Sequence, residues 1–179
     1  MEYCYRLNLP PLTDVLREDA FEILNQQHSV QVVNRVYSPL DEIWKQEWMT
    51  IANYTFTNIF YFFRSNHTGK PHTDVIDPSL NIWGINWIWG GESILDIWNI
   101  NDPSTYTTIV NEKMNAIWYD FSIPPEKSYK MEPGAYLVNV RNPHRAIGFG
   151  DRHCFSLRSR TSYHIPWETV VESFKSHII

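Results

Sequence analysis

Two cysteines in 179 residues, Cys4 and Cys154, stand far apart in no metal or redox spacing. Neither a disulfide framework nor a thiolate metal cluster is therefore expected to organise this chain. Long apolar runs are missing too: none approaches the 18 or so residues of a membrane-spanning helix, and the N-terminal MEYCYRLNLPPLTD lacks a basic-then-apolar signal layout. These absences predict a reducing, cytoplasmic setting with no membrane partner, in which the sequons at Asn53 and Asn66 carry no glycan. Excess positive charge is absent as well. Fifteen Lys and Arg against twenty Asp and Glu give a net charge of −5, which argues against a nucleic-acid partner, because such binding runs on clustered cations. Internal repeats, low-complexity stretches and linkers are all lacking, so the length predicts one domain with a full core.

What the chain does have is aromatic side chains, 15% of residues with eight Trp. Most fall in short β-branched or aromatic runs separated by Gly, Pro, Asn and Asp. YTFTNIFYFFRS, LNIWGINWIWG, SILDIWNI, TYTTIV, NAIWYDF, GAYLVNV, HRAIGF and RHCFSLRSR read as strands, and their short spacing predicts a β-sandwich or barrel. Ahead of them, residues 13–26 repeat apolar side chains at helical period, SVQVVNRVYS alternates like a strand, and Ser38-Pro39-Leu40-Asp41 offers the start signals of a second helix through EIWKQEWMTI. The tail IPWETVVESFKSHII reads as a closing helix. The expected layout is a single domain over 1–179: a mostly helical support (1–53), a β core (54–160) and a C-terminal helix (161–179).

Three features of the β region carry chemistry. In His72-Thr73-Asp74 the two polar residues share a face if the segment is extended, so an imidazole and a carboxylate could address one divalent ion such as Fe(II). His144, some 70 residues later, begins a strand after Asn142-Pro143 and is the candidate third ligand. The remaining histidines lie outside the core strands or, like His153, on the face opposite to Arg152. RHCFSLRSR places Arg152, Cys154, Ser156 and Arg158 on one face. Inward arginines beside an apolar sheet are costly unless they meet an anion, and no acid shares their face. Each feature has a plainer reading alone: a solvated turn, a core histidine hydrogen-bonded to backbone, and a basic edge strand. Trp83, Trp87, Trp89 and Trp98 either shield a reactive centre or fill a sheet interior. Arg145 reads as a surface ion pair.

Taken in order, the His-x-Asp pair, the distal His and the following basic residues resemble the Fe(II)- and 2-oxoglutarate-dependent dioxygenases. The likeness covers residues 56–160 and extends to INW at 85–87 and NPHR at 142–145, as in small phage and marine microbial members. It implies a double-stranded β-helix, or jelly roll, with helices outside. It also implies an iron triad of His72, Asp74 and His144, with Arg152 or Arg158 binding the distal carboxylate of 2-oxoglutarate. Asn86 is a further candidate cosubstrate contact. The implied reaction uses O2 to hydroxylate a small molecule or an amino-acid or peptide side chain, releasing succinate and CO2, in a host cytoplasm if the chain is phage-encoded. Two departures stand out. His144 and Arg152 are only eight residues apart, and Cys154 replaces an expected serine. Two alternatives remain: a cupin-like metalloenzyme that uses no 2-oxo acid, and a non-catalytic binding or structural jelly roll. Substrate identity and oligomeric state stay open.

Overall fold

In a computed structural model, which describes residues 2–26, 35–36, 44–45, 47, 50–56, 58–66 and 68–179, the chain forms two six-stranded antiparallel sheets facing each other. The first sheet comprises β1 (Cys4–Leu7), β2 (Arg35–Val36), β5 (Asn58–Ser65), β7 (Trp83–Trp89), β12 (Gly134–Asn139) and β14 (Asp151–Arg158). Their order is β1-β12-β7-β14-β5-β2. The second comprises β6 (His72–Thr73), β8 (Glu92–Ile97), β9 (Tyr106–Asn111), β10 (Ala116–Phe121), β11 (Lys127–Met131) and β13 (His144–Phe149), in the order β11-β8-β13-β6-β10-β9. A small hairpin, β3 (Thr50–Ile51) with β4 (Tyr54–Thr55), stands apart. Successive strands change sheet: β5 to β6, β7 to β8, β11 to β12, β13 to β14. This is the winding of a jelly roll, the fold class expected from the sequence.

Tight glycine turns make the crossings possible. Gly90 has φ +80° and packs so close to the Asp151 carbonyl that a Cβ would lie 2.3 Å from it. Gly150, at φ +66°, reverses the chain between β13 and β14. Any side chain at Gly90 would be strained by both backbone and space.

The alternation of β7 explains its unusual composition. Trp83, Ile85, Trp87 and Trp89 point to the outer face of the first sheet, and Gly84, Asn86 and Ile88 to the inner one. The outer face is covered by α1 (Leu12–Val15), α2 (Glu18–Asn25) and α3 (Trp167–Ser173). There Trp83 packs edge-on against Tyr54 and Phe174, at 4.8 and 5.9 Å between ring centroids. Trp87 donates its indole N–H to the Pro10 carbonyl, Trp89 donates to Asn25, and Tyr61 donates to the Leu24 carbonyl at 2.7 Å. Each of these rings buries its apolar body and finds at least one polar partner, as buried Trp and Tyr require.

Several expectations are corrected. The first 53 residues are not simply helical support, because Cys4–Leu7 is a strand at one edge of the first sheet, paired along Gly134–Asn139. Residues 13–26 do not form one helix. It breaks at Leu16, extended at φ −85°, ψ 155°, because the Leu16 backbone bridges to Trp44 and the Val15 carbonyl accepts from Lys45; tertiary pairing overrides helical propensity. The proposed second helix and most of SVQVVNRVYS fall largely outside the described residues; Arg35–Val36 is strand, and so is Thr50–Ile51, at the end of that helix. The tail forms α3 followed by a 3-10 turn, and Ile178 then bridges to Leu7. Strand β11 was not anticipated. Among the described residues no helix is long and apolar enough to cross a membrane.

Candidate metal centre

Strand β6 is only two residues long, yet it sits between two longer strands. His72 lies opposite both His144 on β13 and Trp118 on β10. Cross-strand partners share a face, so the two imidazoles meet on the inner side with ring centroids 4.7 Å apart. The chain leaves the strand at Thr73, whose hydroxyl donates to the Val75 carbonyl at 2.9 Å. That turn keeps Asp74 on the face of His72. Asp74 Oδ1 lies 3.5 Å from His72 Nε2 and 3.6 Å from His144 Nε2. Among the described residues these three form the one cluster of potential ligands, with donor atoms within 4.8 Å of one another.

Both rings are oriented by the same device. His72 Nδ1 meets the Lys70 carbonyl at 2.9 Å, and His144 Nδ1 meets the Asn142 carbonyl at 3.1 Å. A carbonyl can only accept, so each Nδ1 carries a proton, and each Nε2 is turned toward Asp74. Asn142 is itself tied down through its amide to the Trp98 carbonyl, and the Pro143 carbonyl accepts from Trp98 N–H.

The electrostatics match this geometry. Burial pushes the His144 imidazole down to about 4; the Asp74 charge opposes this and His72 adds to it. For Asp74, burial alone would raise the carboxyl. His144, His72 and Arg158 outweigh burial and hold it well below the usual carboxylate range. At neutral pH His144 is uncharged, so the permanent cation beside Asp74 is Arg158, 3.6 Å from Oδ2. A neutral His144 imidazole beside an ionised Asp74 carboxylate is the protonation state in which these two groups bind a divalent ion. Ligands about 2.1 Å from a shared ion stand roughly 3–3.5 Å apart, near the Nε2–Oδ1 separations here. A two-imidazole, one-carboxylate set grouped on one side could hold a divalent metal ion.

Arg158 is held as carefully as the triad. Its Nη1 donates to Asn86 Oδ1 at 3.2 Å and to the Leu157 carbonyl at 3.3 Å, and Asn86 Oδ1 also accepts from Ser156 Oγ at 2.6 Å. Gly84 makes room: a Cβ there would lie 2.0 Å from Nη1 and 2.3 Å from the Leu157 carbonyl. Asn86, expected as a cosubstrate contact, is thus fastened to Arg158 and Ser156. Arg152 lies six residues earlier on the same face and differs in kind. It is 4% exposed, its Nε is buried without a hydrogen-bond partner, and it forms no ion pair among the described residues. Ser93 Oγ is similarly buried and has no hydrogen-bond partner among the described residues. It lies on the inner face of the second sheet, two residues from Gly91, whose missing Cβ would sit 3.1 Å from Arg152 N. A serine inside an apolar strand gave no signal in the sequence.

Other sequence candidates lie elsewhere. His153 faces outward, as expected, 2.7 Å from the Tyr61 hydroxyl. Trp83, Trp87 and Trp89 line the outer face and do not shield the triad. Trp98 packs beside Phe121 and under the Arg145 guanidinium, 5.0 Å from its centre. Arg145 bonds to the buried Asp96, its Nε at 3.1 Å. It faces away from His144, its neighbour in the strand.

No family model matches the chain, and no curated protein does. Among solved structures it is similar to Escherichia coli ycfD, with a TM-score of 0.39 and 13% identity over 57% of this chain and 25% of that one. It is also similar to recombinant oxalate oxidase in complex with glycolate, with a TM-score of 0.24 and 12% identity over 66% and 56% of the two chains. A third similar structure is Peruvianin-I, a cysteine peptidase from Thevetia peruviana latex, with a TM-score of 0.24 and 15% identity over 86% and 93%. The chain spans a quarter of the first structure and just over half of the second. At these scores the likenesses carry no functional argument, and the fold rests on the strand order described above.

Proposed function

We propose that this chain is an Fe(II)- and 2-oxoglutarate-dependent dioxygenase that hydroxylates a small molecule or an amino-acid or peptide side chain. The observation that carries the reading is the pairing of two features on the inner walls: a two-histidine, one-carboxylate cluster with both Nε2 atoms turned toward Asp74, and a buried Arg152 with no counter-ion among the described residues. His72, Asp74 and His144 would hold the metal. Bound there, iron and the 2-oxo acid supply oxygen activation, coupling decarboxylation to succinate and CO2 with hydroxylation of the substrate.

The residues of the chain have separate tasks. The Lys70 and Asn142 carbonyls fix the imidazole tautomers, which raises ligand basicity. Arg158 keeps Asp74 ionised and aimed, and is itself held by Asn86. With its donors so engaged, Arg158 is the poorer candidate for the distal carboxylate. Arg152 is the better one, because a guanidinium grips a carboxylate through two parallel hydrogen bonds. Ser93 Oγ, at the same end of the barrel, is available as an additional donor.

Anaerobic titration with Fe(II) and 2-oxoglutarate tests the reading. A weak visible charge-transfer band, followed by succinate release on admitting O2, is the expected result. Metal uptake with neither band nor succinate would leave a cupin-like metalloenzyme instead. Absence of metal uptake in the folded chain would leave a jelly-roll binding protein.

A further inference from the structure

The register of the second sheet lines up more than the two histidines. Ile97 pairs with His144, His144 with His72, His72 with Trp118, and Trp118 with Ile109. Residues paired in this way share a face, so one row crosses the sheet from the buried Ile97 through the triad to Trp118 and Ile109. At a strand spacing of about 4.8 Å, Trp118 stands one strand from His72, and Ile109 stands roughly 10 Å from it. Burial falls steadily along the row. Ile97 is fully buried, Trp118 is half-buried, and Ile109 is 72% exposed. An isoleucine so open, beside a half-open indole that adjoins a candidate metal centre, is an unfilled apolar contact and more than a stray surface side chain.

Charge flanks this shelf on one side. Lys70 is exposed, with Nζ 5.7 Å from the Trp118 ring centre, and it makes no ion pair among the described residues. Tyr119 N–H donates to the Pro71 carbonyl at 2.9 Å, which continues the β6–β10 ladder by one residue and sets Lys70 opposite Asp120. Asp120 is exposed on the same face as Trp118. The ammonium lies over the indole, and no bond to that carboxylate forms.

We propose that Trp118 and Ile109 form the platform for the primary substrate, and that this substrate is a carboxylic acid with an apolar body, its carboxylate on Lys70. The proposal rests on the dioxygenase reading for what happens next; the binding itself does not. A body about 10 Å long or less covers Trp118 while presenting a C–H bond toward the triad. Two sources share this chemistry. A plain apolar acid uses Lys70 alone. A free α-amino acid with an apolar side chain also places its ammonium near Asp120.

Binding is measured on the metal-free chain by saturation-transfer NMR with 3-phenylpropionate, L-phenylalanine and the amide of each. Both acids are expected to bind more tightly than their amides. Lys70→Gln should weaken the acids about fivefold and leave the amides unchanged, since an exposed ion pair contributes up to about that factor. Trp118→Leu should weaken acids and amides alike. Asp120→Asn separates the sources: it lowers phenylalanine to the level of 3-phenylpropionate if amino acids are the ligands, and changes neither if plain acids are. Lys70 and Asp120 are exposed, so both variants fold. Acids and amides binding equally, acid binding unaffected by Lys70→Gln, or no acid binding would each overturn the proposal. Because no iron or 2-oxoglutarate is present, failure here is distinct from failure to release succinate.

Discussion

Replacing Arg152 by methionine should make the ligand-free protein more stable, an unusual sign for a substitution inside a β core. The side chain is 4% exposed and its Nε has no hydrogen-bond partner among the described residues. A buried cation lacking a counter-ion carries a desolvation penalty of several kcal/mol, and methionine keeps an unbranched apolar stem of similar reach. The volume lost at the guanidinium returns about 1 kcal/mol as a cavity cost. The net expectation is a gain of about 1–3 kcal/mol, or roughly 2–12 °C in Tm for a chain of this length. The response to 2-oxoglutarate should move the other way. A ligand at a hundred times its Kd raises stability by about 2.7 kcal/mol, and that increment should vanish in the variant. Thermal melts of both proteins, with and without 2-oxoglutarate beside a non-oxidisable divalent ion, read both effects. A variant that is less stable, as after any ordinary core truncation, would refute the reasoning. So would one that keeps the full 2-oxoglutarate response.

Other outcomes follow from the same geometry. Gly84→Ala places a methyl group where Arg158 and the Leu157 carbonyl now sit; overpacking of this kind costs about 1–3 kcal/mol, so the urea midpoint should fall and metal affinity with it, whereas an unchanged midpoint would show that the sheet yields freely. The His144 imidazole is held down to about 4, so between about pH 6.5 and 4 the unfolded chain binds a proton that the native one refuses. Metal-free stability should therefore drop as pH falls through that window, and His144→Gln should flatten the dependence; an equal slope in the variant would assign it to other groups. Arg158→Gln should leave the metal ligands in place but free Asp74 to turn. Weaker metal binding with a retained fold is expected, measured by competition with a chelating dye, and unaltered affinity would count against an orienting role.

Much of this architecture was legible because strand signals are local. Eight aromatic or β-branched runs became strands, and His72, Asp74 and His144 were recognisable by residue type and order. What escaped detection depends on pairing. Cys4–Leu7 is too short and Lys127–Met131 too polar to announce itself, and both become strands because a neighbour's backbone is open beside them. The helix over 13–26 broke at Leu16 because a distant Trp44 competed for its backbone. Residue type alone left the indoles of β7 between shielding a reactive centre and packing a core; alternation excludes the first, because Asn86 faces inward and Trp83, Trp87 and Trp89 therefore face outward. Which arginine lacks a partner was also beyond sequence reasoning, since that depends on Asn86, Gly84 and Asp74 converging on Arg158 from other segments.

Three separated points of the chain converge where a single ion would be gripped. Anaerobic equilibrium dialysis against Fe(II), with metal and protein quantified after exchange, measures this directly. One ion per native chain is predicted, falling to none when His72, Asp74 or His144 is replaced by alanine. A chain that takes up no iron, or a His144→Ala variant that retains it in full, would contradict the account.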